Sequence, residues 1–243
     1  VMNESNELLK RLTAGCAGVK RYFSDASSSL ALVSVRDGVI GVNAERGFEP
    51  IVSANSLPVL GPGNLQNVLA AVTCAVSLGA SPEEVRRGLA SFKPLEHRLE
   101  YVATRDGVSF YNDSLSTIPE ALANALQALG ARVETVIAGG FDRGVDMAPV
   151  GPALAASGVK NLILFPTTGE KIWQSAVSAA PDRAYVRVDV QSMDEAVQAA
   201  YDLTSAEKIC VMSPASTSFS VFVDYRDRGE QFKSAVRRLG KRT

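Results

Sequence analysis

From about residue 99 onward, short apolar runs alternate with longer segments of helical periodicity, and few folds accept that rhythm. The strand candidates are residues 108–111, 135–138, 161–165, 184–188 and 208–212, and between them 118–129, 169–179, 192–204 and 226–239 read as helices. Strands this short and this apolar leave no face for water. They predict a mostly parallel sheet with helices on both faces, an α/β domain of Rossmann-like type. In such a sheet, ligands bind at the carboxyl ends of the strands. Those ends carry Asn112-Asp113-Ser114, Gly139-Gly140-Phe141-Asp142-Arg143-Gly144, Pro166-Thr167-Thr168-Gly169 and Ser213-Pro214-Ala215-Ser216-Thr217-Ser218. The four polar clusters are therefore expected on one rim.

The first ninety or so residues have a different rhythm. Strand candidates lie at 20–23, 30–34 and 39–43, and Asp37-Gly38 reads as the hairpin turn joining the last two. After Gly61-Pro62-Gly63, an Ala-rich helix covers 64–78, with Gly79 placed to end it. Ser81-Pro82-Glu83-Glu84 then opens another helix, with Ser as N-cap, Pro at the first position and acids in the first turn. That helix stops near Ser91, and Lys93-Pro94-Leu95-Glu96 reads as a linker. The chain thus divides into 1–93 and 94–243. Val1-Met2-Asn3 resembles the end of a buried strand, and helix-like 7–12 follows. This predicts that an earlier part of a longer protein has been removed.

Composition excludes several function classes. A formal charge of −1 over 243 residues gives no reason to expect nucleic acid or an anionic membrane surface. The longest apolar runs, such as 161–166, are far too short to span a bilayer, and no signal-peptide series opens the chain. Cys16, Cys74 and Cys210 are odd in number, far apart and without metal-ligand spacing. They fit reduced thiols in a cytoplasm. His97 is the only histidine. A Ser-His-Asp triad or a His-based metal site is therefore not expected. No G-x-x-x-x-G-K-[ST] occurs, and the glycines at 139–144 have the wrong spacing for a dinucleotide fingerprint, which disfavours a dehydrogenase.

Each polar cluster has an ordinary reading beside a functional one. Leu95-Glu96-His97-Arg98 is either a solvated linker or a segment whose Arg98 stacks on a nucleotide. Ser116 or Thr117 could simply cap the helix opened by Pro119-Glu120, whereas Asp113 could accept hydrogen bonds from ribose hydroxyls. Gly139-Gly140 is either a tight turn or a place where backbone approaches a ligand closely, with Arg143 as a fork for a carboxylate. By default 213–218 is a Ser/Thr-rich surface loop, yet the unexpectedly apolar Phe219–Tyr225 stretch follows it. Its hydroxyls and backbone N–H groups could grip an anionic substrate.

Taken together, these segments resemble the Mur ligases, in particular the glutamate-adding members. Gly63-Asn64-Leu65-Gln66-Asn67 is similar to the family's H-N-x-x-N, with glycine at the His position. Leu95-Glu96-His97-Arg98 is similar to L-x-H-R. Asn112 to Thr117 resembles N-D-S-K-A-T, and Ala138 to Gly144 resembles G-G-x-x-K-G. Ser213 to Phe219 followed by Tyr225-Arg226-Asp227-Arg228-Gly229-Glu230-Gln231-Phe232 resembles S-P-A-x-A-S with F-x-x-R-G-x-x-F. The resemblance implies that 1–93 is the second half of a central ATP-binding domain and 94–243 a glutamate-binding domain. It implies that Asn64, Asn67, Arg98 and Asp113 contact the nucleoside of ATP. Ser114, Leu115, Thr117, Arg143, Ser218, Phe219 and the backbone at Tyr225 would surround the incoming glutamate. The implied reaction is ATP-dependent amide formation on UDP-N-acetylmuramoyl-L-alanine (UDP-MurNAc-L-Ala) through an acyl phosphate, in a monomeric enzyme. Its Mg2+ ligands, phosphate loop and catalytic groups would lie upstream of Val1, so the chain alone should not catalyse.

Two positions depart from the family pattern: Leu115 and Arg143 each stand where it has lysine. The variant N-D-S-x-S-T-x-P is similar to a subgroup that adds L-glutamate, and this resemblance favours L-glutamate over the ordinary D-glutamate. Two alternatives are a non-catalytic nucleotide-binding module, from another class, and a folylpolyglutamate- or cyanophycin-type ligase of the same superfamily.

Overall fold

The computed structural model describes residues 1–219 and 221–241. Ser220, inside the apolar stretch after the Ser/Thr-rich loop, and Arg242-Thr243 lie outside the described residues. The chain forms two compact units, Val1–Pro94 and Leu95–Thr243.

The first unit holds strands β1 (Met2–Asn3), β2 (Tyr22–Ser24), β3 (Val33–Arg36), β4 (Val39–Ala44) and β5 (Gly47–Ser53), with helices α1 (Glu7–Leu12), α2 (Pro62–Ser77) and α3 (Pro82–Ser91). The strands lie in chain order, parallel as far as β3 and antiparallel from there. Asp37 and Gly38 both have positive φ, at 49° and 74°, as the tight β3–β4 turn requires. Strand β5 has no counterpart among the sequence candidates. Its burial runs exposed and half-buried with only Ile51 inside, so periodicity had little to show. Gly79 ends α2 at φ 98°, and its N–H and that of Ala80 close back onto Val76 and Ala75. Ser81 caps α3 as its sequence predicted, and Glu84 returns the bond to the Ser81 backbone. Phe23, Val33, Ile40, Leu69, Val72 and Val85 form the small core beneath these helices.

The second unit is a six-stranded sheet made of β6 (Glu100–Arg105), β7 (Val108–Asn112), β8 (Val133–Gly139), β9 (Asn161–Phe165), β10 (Val186–Asp189) and β11 (Ile209–Met212). Its order is β10-β9-β8-β11-β7-β6, parallel except where β6 pairs antiparallel with β7. Five helices cover it: α4 (Pro119–Leu129), α5 (Val150–Ala155), α6 (Gly169–Ala179), α7 (Met193–Leu203) and α8 (Tyr225–Arg238). Strand periodicity sorts the two faces. Ile137, Ile163, Cys210 and Met212 meet α7 and α8, while Val136, Ala138, Leu162, Leu164, Ile209 and Val211 meet α4, α5 and α6. This is the mixed, parallel-rich α/β architecture that the strand–helix rhythm predicts. The edge strand β6 and the two-turn α5 were not anticipated, being half-exposed and very short respectively.

Candidate functional site

The four strand-end clusters of the second unit are hydrogen-bonded to one another. Strands β7, β11, β8 and β9 are consecutive neighbours in the sheet, so their carboxyl ends stand side by side. The Ser213 hydroxyl donates to Asp113 Oδ2 at 2.8 Å. Gly139 N–H donates to Pro214 O, and Phe141 N–H to Thr217 O at 2.8 Å. Thr167 N–H donates to Gly140 O, and the Thr168 and Ser216 hydroxyls lie 2.7 Å apart. A single polar rim results.

Asp113 is buried at its centre. Its Oδ1 accepts from Leu99 N–H at 3.1 Å while Oδ2 takes the Ser213 hydroxyl. Burial pushes its carboxyl up to about 6, although the hydroxyls of Ser116 and Ser213, the Leu99 amide and the charge of Arg98 pull the other way. These three hydrogen bonds leave the carboxylate some accepting capacity, since its two oxygens offer about four lone-pair sites. Arg98 is exposed beside it.

Ser114 is fully buried. Its hydroxyl donates to Tyr225 O at 2.7 Å and accepts from Arg228 Nε at 3.0 Å. Leu115 is half-buried and its N–H donates to His97 O. Thr117 is half-buried as well, but neither it nor Ser116 caps the next helix. The N-cap of α4 is Ile118, which makes no side-chain cap bond, so the simple capping account of that segment is corrected. Arg143 is exposed, and Phe219 is 64% exposed.

Three further sequence readings change. The 213–218 segment is buried throughout rather than a surface loop, because it is wedged between the ends of β7 and β8. Within it the Thr217 hydroxyl oxygen is buried without a hydrogen-bond partner. Gly139 and Gly140, at φ 100° and 148°, do permit a close backbone approach, but the protein itself makes it. A Cβ there would stand 2.3 Å from Phe165 O and 2.3 Å from Thr217 O respectively. Finally, His97 is only 3% exposed, which rules out a solvated linker at that position.

Sequence reasoning attached no role to the groups that hold His97. Asn112 Oδ1 accepts from Ser114 N–H, so its Nδ2 faces His97 Nδ1 at 2.8 Å and Glu100 Oε2 at 3.1 Å. Nδ1 is then an acceptor, and the ring proton sits on Nε2, facing Glu230 at 3.7 Å. Lys233 completes the set, 2.6 Å from Glu230 and 3.3 Å from Glu100. Among the described residues, Glu96, His97 and Glu230 are the only cluster of three or more His, Cys, Asp or Glu close enough to share a metal. They do not fit Mg2+, which takes oxygen ligands. In this tautomer Nε2 carries the ring N–H and has no lone pair to offer a metal, and Lys233 already neutralises Glu230.

The buried Arg228 was equally unassigned. A signal existed: Arg228, Phe232, Ala235 and Val236 fall at i, i+4, i+7 and i+8, the buried stripe of α8. In the first unit, Asn64 and Asn67 lie three apart near the start of α2, where Asn64 Nδ2 donates to Leu60 O at 2.8 Å and Asn67 is exposed.

A family model described as the Mur ligase, glutamate ligase domain matches residues 97–216, the stretch that holds this rim. The chain carries a Mur ligase C-terminal domain. Curated relatives of this chain include UDP-N-acetylmuramoylalanine–D-glutamate ligases. The protein of that name from Geobacillus kaustophilus is 34% identical over 239 residues, covering 98% of this chain and 51% of the relative. One from Desulfitobacterium hafniense is 36% identical over 218 residues, covering 89% and 47%. The chain thus spans about half the length of the curated relatives it matches. Solved Mur ligases share its fold. An alanine-adding enzyme, MurC of Thermotoga maritima, aligns with TM-score 0.61 at 16% identity over 96% of this chain and 50% of that one. MurF of the same organism, solved with ADP, aligns with TM-score 0.62 at 14% identity over 98% and 54%.

Proposed function

We propose that this chain is the nucleoside-facing and amino-acid-facing part of a cytoplasmic ATP-dependent ligase that adds glutamate to UDP-N-acetylmuramoyl-L-alanine in peptidoglycan precursor synthesis. The observation that carries this reading is the rim itself. Four polar strand ends are cross-linked around a buried carboxylate, in a domain whose family is named for glutamate ligation.

On the nucleoside side, Asp113 offers its remaining lone pairs to ribose hydroxyls, and the exposed guanidinium of Arg98 offers a planar face to a base. On the amino-acid side, Arg143 supplies an exposed fork for a carboxylate. The unpaired Thr217 hydroxyl, Ser218, Phe219, Thr117 and the Tyr225 backbone line the rest, with Leu115 adding an apolar wall. Ser114 acts here as framework, since Tyr225 and Arg228 occupy its hydroxyl. ATP would supply the phosphoryl group that turns the acceptor carboxylate into an acyl phosphate. The amine then attacks the acyl carbon, the C–O bond to phosphate breaks, and phosphate leaves with the electron pair. The chain's contribution is orientation, which lowers the barrier by holding the amine in reach of that carbon. Among the described residues there is no ligand set that fits Mg2+.

Calorimetric titration with ATP and separately with D- and L-glutamate tests the reading. Saturable binding of nucleotide and of one glutamate enantiomer is expected. Absence of heat for nucleotide and both enantiomers would remove it.

A further inference from the structure

Arg228 is the largest fully buried side chain among the described residues. A buried cation is tolerated only when its donors are matched, and here the matches come from two separate loops. Nε donates to Ser114 Oγ at 3.0 Å and Nη2 to Ser114 O at 2.8 Å, while Nη1 donates to Ser216 O at 3.0 Å. The Ser114 hydroxyl passes the link back to Tyr225 O in the first turn of α8. Behind the guanidinium, an added Cβ on Gly140 would stand 3.4 Å from Nη1, so the third loop also abuts it. Burial pulls the guanidinium down to about 9, and the charge of Asp113, next to Ser114, opposes that shift.

Ser114 follows Asp113 on the nucleoside-facing side, and Ser216 precedes Thr217 and Ser218 on the amino-acid-facing side. We infer that Arg228 is a positioning residue whose guanidinium fixes these two half-sites relative to each other, through hydrogen bonds in three directions that only a planar fork can make. Lysine could carry the charge but not the geometry. The functional half of this inference rests on the reading proposed above. The structural half, a clamp across two loops, does not.

The test compares the whole chain with Arg228→Lys and Arg228→Ala by amide hydrogen exchange and by glutamate titration. Exchange at 112–116 and 213–219 should rise at least about tenfold in both variants, while the strand interiors of β8 and β9 and the first unit keep their protection. Affinity for the bound glutamate enantiomer should fall by about tenfold or more in both, and methylguanidinium should restore it in Arg228→Ala only. Wild-type protection of both loops in Arg228→Lys would overturn the clamp, and the Lys variant serves if the Ala variant does not fold. Loss of protection spread evenly over the unit would also overturn it. If the unmutated chain takes up no glutamate, the proposed function fails, and loop exchange alone still decides the clamp.

Discussion

The imidazole of His97 fills the space that Gly229 leaves on α8: a Cβ at 229 would stand 2.3 Å from His97 Nδ1 and 2.8 Å from its Cε1. The ring is also held by Asn112 at 2.8 Å and meets Tyr225 edge-on, with centroids 6.1 Å apart. His97 itself sits at φ 63°, where the chain turns and its carbonyl accepts from Leu115 N–H. Segment 97–99, the Asp113 strand end and the start of α8 therefore form one packed junction.

Gly229→Ala tests that junction. Alanine normally favours a helix interior by about 1 kcal/mol over glycine, so a loss of stability would have to come from the clash. Overpacking typically costs about 1–3 kcal/mol, and with the ring pinned on two sides the net effect should be destabilising. Urea titration should show a lower midpoint at unchanged slope, and a raised midpoint would contradict the packing described.

Asp113 makes stability depend on pH. Burial raises its carboxyl from 3.8 to about 6, so the folded state holds the proton more tightly than the unfolded state does. The contribution is fully present below about pH 4 and is lost as pH rises through 6, on the order of 3 kcal/mol for this group. Asp113→Asn should flatten that slope between pH 4 and 6 and be the more stable protein at pH 7. The neutral amide can still accept from Leu99, and the Ser213 hydroxyl can rotate to accept from it. Urea melts of both proteins at pH 4, 5, 6 and 7 check the difference.

Thr217→Val exchanges a hydroxyl without a partner for a methyl of similar shape. Removing an unsatisfied buried polar atom should leave stability unchanged or raise it by about 1 kcal/mol. If the hydroxyl meets the substrate, as proposed, glutamate affinity should fall several-fold at the same time. Thermal melts and titration of the one variant separate the two effects.

Arg143→Ala should weaken glutamate binding by about tenfold, typical of one charge-assisted contact. Its melting temperature should stay within a degree or so of the parent, because exposed substitutions cost little. A variant that binds normally would take Arg143 out of the amino-acid site. Repeating the titration with both enantiomers on Leu115→Lys shows whether the missing lysine bears on handedness.

Local chemistry was readable wherever short-range rules act alone. The Asp37-Gly38 turn, the Ser81–Glu84 cap and the Gly79 terminus each follow from a few neighbouring residues. The parallel sheet followed from apolar strands spaced by helices, and the rim followed from the sheet. Half-exposed strands β5 and β6 were missed because neither shows clean alternation. The burial of His97 was missed for another reason. Nothing near residue 97 encodes that Gly229, more than a hundred residues later, leaves room for its ring.

The sequence by itself determined the fold class, the positions of the polar strand ends and the family they resemble, because strand and helix periodicity and motif spacing are local properties of the chain. Only the tertiary structure decided which polar groups face one another. Arg228 reaches Ser114 and Ser216, Gly140 admits Thr217 rather than a ligand, and the Thr217 hydroxyl is left without a partner. Those outcomes depend on hydrogen bonds and steric gaps between segments far apart in sequence, where partner and distance exist only once the sheet has assembled.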